Sequence, residues 1–184
     1  MLRPPAGVVL AMRDGVLSAT GDVPVEWVAE ARRLATLVPG VVSFDAVGAL
    51  ARRTQDAIAG IEGQTLLFVR GAAELVSDQD AAVKVLVDHV RALERIAEVT
   101  GLTYRIDVVG HTDADGADVS NLPLSQARAD TVRAVIAPET TAVMEIVAHG
   151  EGSRQPAVVS ENEVDKQRNR RVQIKVTRRG GGQP

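Results

Sequence analysis

The sequence of 184 residues predicts an α+β protein in which helices pack on one face of a mixed β-sheet. Short apolar segments typical of strands alternate with longer segments whose apolar residues recur at helical spacing. Their order is β-β-α-β in the first quarter of the chain and β-α-β-α-β-(α)-β in the remainder. We therefore expect a small N-terminal unit (1–48), a helical connector (49–63), a larger domain (64–178) and a flexible tail (179–184).

The N-terminal unit is predicted to contain two strands joined by a tight turn, then a helix and a third strand. Asp14-Gly15 between two apolar segments is a strong hairpin signal, and Pro39-Gly40 is expected to end the helix. Trp27 falls on the apolar face of this helix and is expected in the core. The predicted elements are strands 8–10, 15–19 and 41–44 and a helix over 25–37.

The larger domain shows stronger periodicity. Ser77 is expected to cap a long amphipathic helix that Gly101 ends, and Asn121 is expected to cap a second helix. In the strand between these helices, Arg105 and Asp107 alternate with apolar residues, which indicates that one face of the sheet is exposed to solvent. The predicted elements are strands 65–69, 104–110, 143–148 and 171–176, helices 78–100 and 122–137, and a helical turn over 161–167.

Composition excludes several classes of function. The formal charge of −3 with mixed signs gives no general attraction to nucleic acid, and the 2% aromatic content argues against base stacking. The absence of cysteine excludes disulfides, thiol nucleophiles and thiolate zinc sites. No apolar run approaches membrane-spanning length and no signal peptide opens the sequence. If the protein works outside the cytoplasm, we expect its targeting or anchoring segment to lie outside this sequence.

One charged residue is out of place in the predicted helix over 122–137. Arg128 lies four residues from both Leu124 and Val132, on the stripe expected to face the core. Arginine is rarely buried unless it is paired, so it should meet a carboxylate from the protein or from a ligand. Asp113 follows the end of a neighbouring strand and is a plausible partner, so a purely structural ion pair is one interpretation.

Three blocks of sequence resemble the OmpA C-terminal-like family, which includes Pal and MotB. They span some 115 residues in the family's order. The matching stretches are Gly110-His111-Thr112-Asp113 followed by Asn121, Leu124, Ser125 and Arg128; Gly150, Gly152 and Pro156; and Asn169-Arg170-Arg171-Val172-Gln173-Ile174.

The resemblance implies a non-catalytic cell-envelope module that binds peptidoglycan through the diaminopimelate peptide stem. Asp113 would accept hydrogen bonds from the ammonium of diaminopimelate, and Arg128 would hold its carboxylate bidentately. The helix N-terminus near Asn121 would add N–H groups and a positive dipole end. By the same resemblance Thr112, Asn121 and Leu124 line the pocket, with Arg170, Arg171 and Gly71 as supporting residues. No cofactor or metal is implied, and the expected location is the periplasm at the outer membrane or cell wall.

The sequence departs from this family in one segment. Where relatives carry a strand with two acidic residues, this chain reads Phe68-Val69-Arg70-Gly71. We read this segment as the end of the first strand of the domain, beside the pocket. Its loss of acids motivates an alternative, a structural or protein-interaction domain that kept the fold and lost peptidoglycan binding.

The N-terminal unit resembles a BON domain from Ala6 to about Ala46. The resemblance rests on Asp14-Gly15-Val16-Leu17, Gly21-Asp22-Val23, the helix residues Ala31 to Val38 and Pro39-Gly40-Val41. BON domains are associated with membranes or envelope partners, but no charged patch or aromatic cluster supports such a contact here.

The sequence gives less support to other chemical roles for these residues. His111 with Asp113 and Asp115 could suggest a metal site, but the other histidines lack ligand-type spacing. Ser125 lacks the elbow and base of a nucleophile. Arg170 and Arg171 should face opposite sides of a strand, so that one supports the pocket and the other is solvated.

Overall fold

A computed structural model describes residues 3–159 and 162–181. Within these residues the chain forms two β-sheets, five α-helices and a short 3-10 helix, Ala137–Glu139. The strands are β1 Val9–Arg13, β2 Val16–Thr20, β3 Ser43–Asp45, β4 Thr65–Leu67, β5 Leu102–Gly110, β6 Met144–Gly150 and β7 Arg171–Gly181. The helices are α1 Val25–Ala35, α2 Val47–Glu62, α3 Asp80–Thr100, α4 Asp118–Ile136 and α5 Glu163–Asn169.

The larger sheet is mixed and has the strand order β4-β7-β5-β6. β5 runs parallel to β6 and antiparallel to β7, which is also antiparallel to β4. Alternate residues of β5 are buried from Leu102 to Gly110, and α3 and α4 cover this apolar face. The predicted α+β architecture, with helices on one face of a mixed sheet, is confirmed.

The N-terminal unit has the predicted β-β-α-β order. Asp14 and Gly15 adopt φ values of 50° and 80°, so the two-residue turn joins β1 to β2 with the backbone twist that a hairpin favours. β3 adds to β2 in parallel, and α1 packs Val28, Ala31 and Ala35 beneath the sheet. Trp27 is half-buried and makes an edge contact with Phe44.

The predicted connector is α2, and its side chains enter both cores. Leu50 packs in the N-terminal core, whereas Ala57 and Ile61 pack in the core of the larger domain. α3 also reaches across, because Ile96 belongs to the N-terminal core. The two units therefore share helices at their boundary.

Several predicted boundaries were wrong. The first strand of the larger domain ends at Leu67, and the chain then forms a turn. The residue before α3 is Gln79 and not Ser77, while Gly101 does end α3, with φ 72°. β7 continues to Gly181, so residues 179–181 are strand and not tail. Glu161 of the predicted helical turn and residues 182–184 of the predicted tail lie outside the described residues.

Among the helices of the described ranges, none is long and apolar enough to cross a membrane.

Candidate functional site

The site lies where β5 ends and α4 crosses the edge of the sheet. α4 can approach closely because two strand positions are glycines. A Cβ added at Gly110 would collide with the Ser125 carbonyl oxygen, and one at Gly150 with the Gln126 amide nitrogen. Ser125 is fully buried, and its hydroxyl accepts a hydrogen bond from the Gly152 amide at 2.9 Å. Ser125 therefore fixes α4 to the loop after β6.

Arg128 is fully buried on α4, with a relative exposure of 0%. Its Nε donates to the carbonyl of Ala72 at 2.9 Å, Nη1 to that of His111 at 2.8 Å and Nη2 to that of Val69 at 3.0 Å. The guanidinium carbon lies 5.5 Å from the centre of the Phe68 ring, a cation–π distance. The buried arginine predicted from the helix stripe is present, and main-chain oxygens hold it.

The electrostatic environment of Arg128 opposes its charge. Burial lowers the pKa of Arg128 to about 10, with Asp113 raising it and Arg170 lowering it. Throughout the described ranges no carboxylate hydrogen-bonds to this guanidinium. The structural ion pair between Asp113 and Arg128, which was one interpretation of the sequence, is therefore not formed.

Asp113 pairs with Arg170. Oδ2 of Asp113 accepts from Arg170 Nη1 at 2.8 Å, and both side chains are more than 90% buried. Oδ1 accepts from the Asp115 amide at 3.3 Å. Arg170 Nη2 also donates to Glu163 at 2.6 Å. Burial lowers the pKa of Arg170, but the hydrogen bonds to Asp113 and Glu163 outweigh it, so the pKa is raised.

Asp115 connects three segments at the rim of the site. It accepts from Lys166 of α5 at 2.7 Å and from Arg70 at 3.0 Å. The hydrogen bond from Lys166 is the largest cause that lowers the pKa of Asp115. Arg70 lies in a turn closed by the hydrogen bond from the Ala72 amide to the Val69 carbonyl at 3.2 Å. This turn, residues 69–72, covers Arg128.

The remaining predicted pocket residues lie near this cluster. Thr112 is 2% exposed, and its hydroxyl has no hydrogen-bond partner within the part of the chain that the structure describes. The Asn121 side chain donates to the Asp115 carbonyl at 3.1 Å. Leu124 is half-buried on α4, one turn before Arg128.

The helix-terminus argument at Asn121 was wrong. α4 begins at Asp118, and the residue before it is Ala117. The amide of Asn121 already donates to the Ala117 carbonyl at 3.0 Å, so it is not an exposed donor for an anion.

The prediction of a solvated arginine at the start of β7 was also wrong. Arg170 and Arg171 are 3% and 5% exposed, so both are buried. Nη2 of Arg171 donates to the Gln155 carbonyl at 3.2 Å and to Gln173 Oε1 at 2.8 Å, away from Asp113. Gly71, the third supporting residue, has φ 69° in the turn over Arg128.

The sequence argument missed the contribution of α5. Glu163, Lys166, Gln167 and Arg170 recur at positions i, i+3, i+4 and i+7, so a helix places them on one face. This spacing was present in the sequence and could have identified the face that meets Asp113 and Asp115. Asn162 begins this helix by accepting from the Asp165 amide at 2.9 Å.

Comparison with known families decides the classification. The model of the OmpA family matches residues 67–170, which is more than half of the chain. The chain belongs to the OmpA family. The matched range contains every side chain of the Asp113–Arg128–Arg170 cluster. The OmpA family and fold are those of structural, non-catalytic domains, and no enzymatic family is indicated.

Individual relatives cover parts of the chain. Outer membrane porin F of Pseudomonas fluorescens is 39% identical over 71 residues, which are 39% of this chain and 22% of the porin. This OmpA chain therefore corresponds to about a fifth of that relative.

The fold is shared with a solved structure. The peptidoglycan-associated lipoprotein of Burkholderia pseudomallei superposes with a TM-score of 0.52 at 19% identity, covering 62% of this chain and 90% of the lipoprotein. The cell wall anchor of the T6SS from Pseudomonas aeruginosa gives a TM-score of 0.47 at 20% identity, covering 70% of this chain and 96% of that chain.

Proposed function

We propose that this chain is a non-catalytic cell-envelope module that binds peptidoglycan non-covalently and anchors a larger protein or complex to the cell wall. The group held would be the free end of diaminopimelate, which carries an ammonium and a carboxylate on one carbon. The observation that carries the proposal is Arg128, a fully buried guanidinium that donates only to main-chain carbonyls in the described chain. A buried charge is costly without an opposite charge against it, and a ligand carboxylate would supply one.

The ion pairing around Arg128 supports an anionic ligand group. Among the described residues, the carboxylates of Asp113, Asp115 and Glu163 accept from Arg70, Lys166 or Arg170, and none accepts from Arg128. A ligand carboxylate would give this guanidinium an acidic partner.

The unused hydrogen-bonding capacity fits an amino acid headgroup. Arg128 has five N–H groups and uses three in its main-chain bonds, which leaves two for a carboxylate. Asp113 has lone pairs beyond those that accept from Arg170 and Asp115, and these would receive the ammonium. The hydroxyl of Thr112, which is buried without a partner in the described residues, would add a further contact.

A ligand would reach Arg128 through a movement of the turn over residues 69–72. Two side chains hold this turn in place. Arg70, which is 66% exposed, pairs with Asp115, and the buried Arg128 donates to the carbonyls of Val69 and Ala72. Opening would therefore exchange the two bonds from Arg128 to the turn for bonds to the ligand carboxylate.

One observation favours a second candidate. Asp113 is already paired with Arg170, and Arg128 is fully covered, so the site is nearly satisfied without a ligand. In the alternative, the domain keeps the OmpA-like fold for structural or protein-interaction purposes and no longer binds peptidoglycan.

The proposed location is the periplasm at the outer membrane or cell wall, with attachment through a segment outside this chain. The N-terminal unit is proposed to be BON-like, and its β-β-α-β order of elements supports this assignment.

Sedimentation with purified sacculi tests the function. We expect the wild-type chain to bind sacculi of the diaminopimelate type and to bind less to sacculi that carry lysine, which lacks the second carboxylate. A charged hydrogen bond contributes about 1.5–3 kcal/mol, so Arg128→Lys and Asp113→Asn should each weaken binding ~10-fold or more. Free diaminopimelate should compete.

Matched controls come from α2, where Arg52 and Asp56 are exposed. Arg52→Lys and Asp56→Asn make the same chemical changes and should leave sedimentation unchanged. Melting curves of all four variants identify any loss of folding. If the folded wild-type chain ignores both kinds of sacculi, the second candidate is correct.

A further inference from the structure

A second group of polar side chains lies on the other side of the larger sheet, where two neighbouring members, His111 and Arg171, are buried. The carbonyl of His111 accepts from Arg128, but its side chain continues the alternation of β5 on the face away from α3 and α4. There it lines a cavity of about 380 Å³ together with Val109, Gln155, Gln173 and Lys175. His111 thus contacts Arg128 through its main chain and the cavity on the opposite sheet face through its side chain.

Three nitrogen atoms in this group lack hydrogen-bond partners. They are Nδ1 of His111 and Nε and Nη1 of Arg171, and none has an acceptor or donor within residues 3–159 and 162–181. The two residues are 2% and 5% exposed. Buried charged donors are normally paired, so Arg171 has capacity for an acceptor that the protein does not provide.

Arg171 does not line the cavity, but it hydrogen-bonds to two residues that do. Its Nη2 donates to the Gln155 carbonyl and to Gln173 Oε1, and both glutamines line the cavity wall. A ligand that displaced the exposed Gln173 side chain would therefore meet the guanidinium.

The charges that face this cavity favour an anion. Lys175 and Glu62 both line the cavity with opposite charges, and Glu62 accepts a hydrogen bond from the Val176 amide at 2.9 Å. Arg171, beside the cavity wall, adds the excess positive charge. On the adjoining β6 side, His149 lies 4.0 Å from Glu151. Burial is the largest cause that lowers the pKa of His111 to about 4, and the nearby Arg171 and His149 act in the same direction.

We propose that His111, Arg171 and Lys175 form a second binding site for a small oxyanion, on the sheet face opposite Arg128. The ligand is a carboxylate or phosphate that accepts from Arg171 Nε or Nη1 and from the ring N–H of neutral His111. Either a carboxylate of a wall peptide or free phosphate has this chemistry. The site uses neither Asp113 nor the Arg128 side chain, so it does not depend on the function proposed above.

The test is an NMR titration of the histidine rings in the full chain. Inorganic phosphate, acetate and a soluble stem peptide are added separately, with chloride at matched ionic strength as the control. A bound anion stabilises the imidazolium, so the pKa of His111 should rise from about 4 by at least ~1 unit at saturation. Saturation by the peptide identifies a wall carboxylate, and saturation by phosphate alone identifies a free anion.

Variants separate this site from the first one. Arg171→Lys should abolish the saturable response, and Lys175→Gln, at an exposed position, should weaken it several-fold even if the first variant fails to fold. Asp113→Asn should leave the response intact. A response that never saturates, is equalled by chloride, or disappears in Asp113→Asn overturns the proposal.

Discussion

At the scale of single residues, His111 should make stability depend on pH. Its folded-state pKa is lowered to about 4, mainly by burial. Between the unfolded value near 6.5 and about 4, only the unfolded chain binds the proton, so stability falls as pH decreases through this window. The full shift corresponds to about 3 kcal/mol. Urea unfolding of wild type and His111→Gln at pH 7 and pH 4.5 measures it, and the pH slope should be smaller in the variant.

Arg128 and Arg170 illustrate what the sequence could and could not predict at this scale. Helical spacing placed Arg128 on the buried stripe of α4, which the structure confirms. The partner of Asp113 was not predictable in the same way, because two arginines compete for one carboxylate. Arg170 takes it with the help of Glu163, a contact that depends on where α5 packs and not on local spacing.

At the scale of elements, the turn over residues 69–72 should require Gly71. Gly71 has φ 69° with open space around its Cβ position, so Gly71→Ala introduces backbone strain without a collision. The left-handed conformation costs a residue with a side chain about 1–2 kcal/mol, and the melting temperature should fall accordingly.

Gly48→Ala is a control variant whose melting temperature should rise. Gly48 lies in α2, also with open space at its Cβ position, and alanine favours helix by about 0.5–1 kcal/mol over glycine. Thermal melts of the two variants should move in opposite directions. Equal shifts would show that the turn over residues 69–72 does not hold its conformation in solution.

The same turn explains why the sequence misplaced the end of the first strand of the larger domain. Phe68-Val69 continues an apolar run, so a strand through Val69 was the natural reading, whereas β4 ends at Leu67. Gly71 was the signal for a turn. Because the chain turns here, Arg70 reaches Asp115 at the rim, a placement that strand alternation could not give.

At the scale of the whole molecule, the larger domain should need α2. Ala57 and Ile61 are 3% and 0% exposed and belong to its core. A chain of residues 64–181 lacks both, and losing a single fully buried aliphatic side chain costs about 2–5 kcal/mol. A chain of residues 47–181 should therefore melt cooperatively and at higher temperature.

Circular dichroism melts of the two chains provide the comparison, with Ile61→Ala in the full chain as a matched measure of the α2 contact. If the shorter chain is as stable as the longer one, α2 connects the two units without stabilising the larger domain. The sequence predicted that α2 is a helix. Because α2 has apolar residues on two faces, its sequence does not show which of the two cores it stabilises more.

The position of β7 in the sheet has a consequence for how the chain folds. β7 is last in sequence, yet it lies between β4 and β5 and pairs Thr65 with Gln173. During synthesis only β5 and β6 can associate early, and β4 has no partner until the final strand has emerged. Contacts between such distant residues carry a large loop-closure cost and slow folding. The nascent chain would thus expose an incomplete sheet until nearly its last residues are made, and premature termination before Arg171 would leave β4 and β5 without the strand that pairs with both.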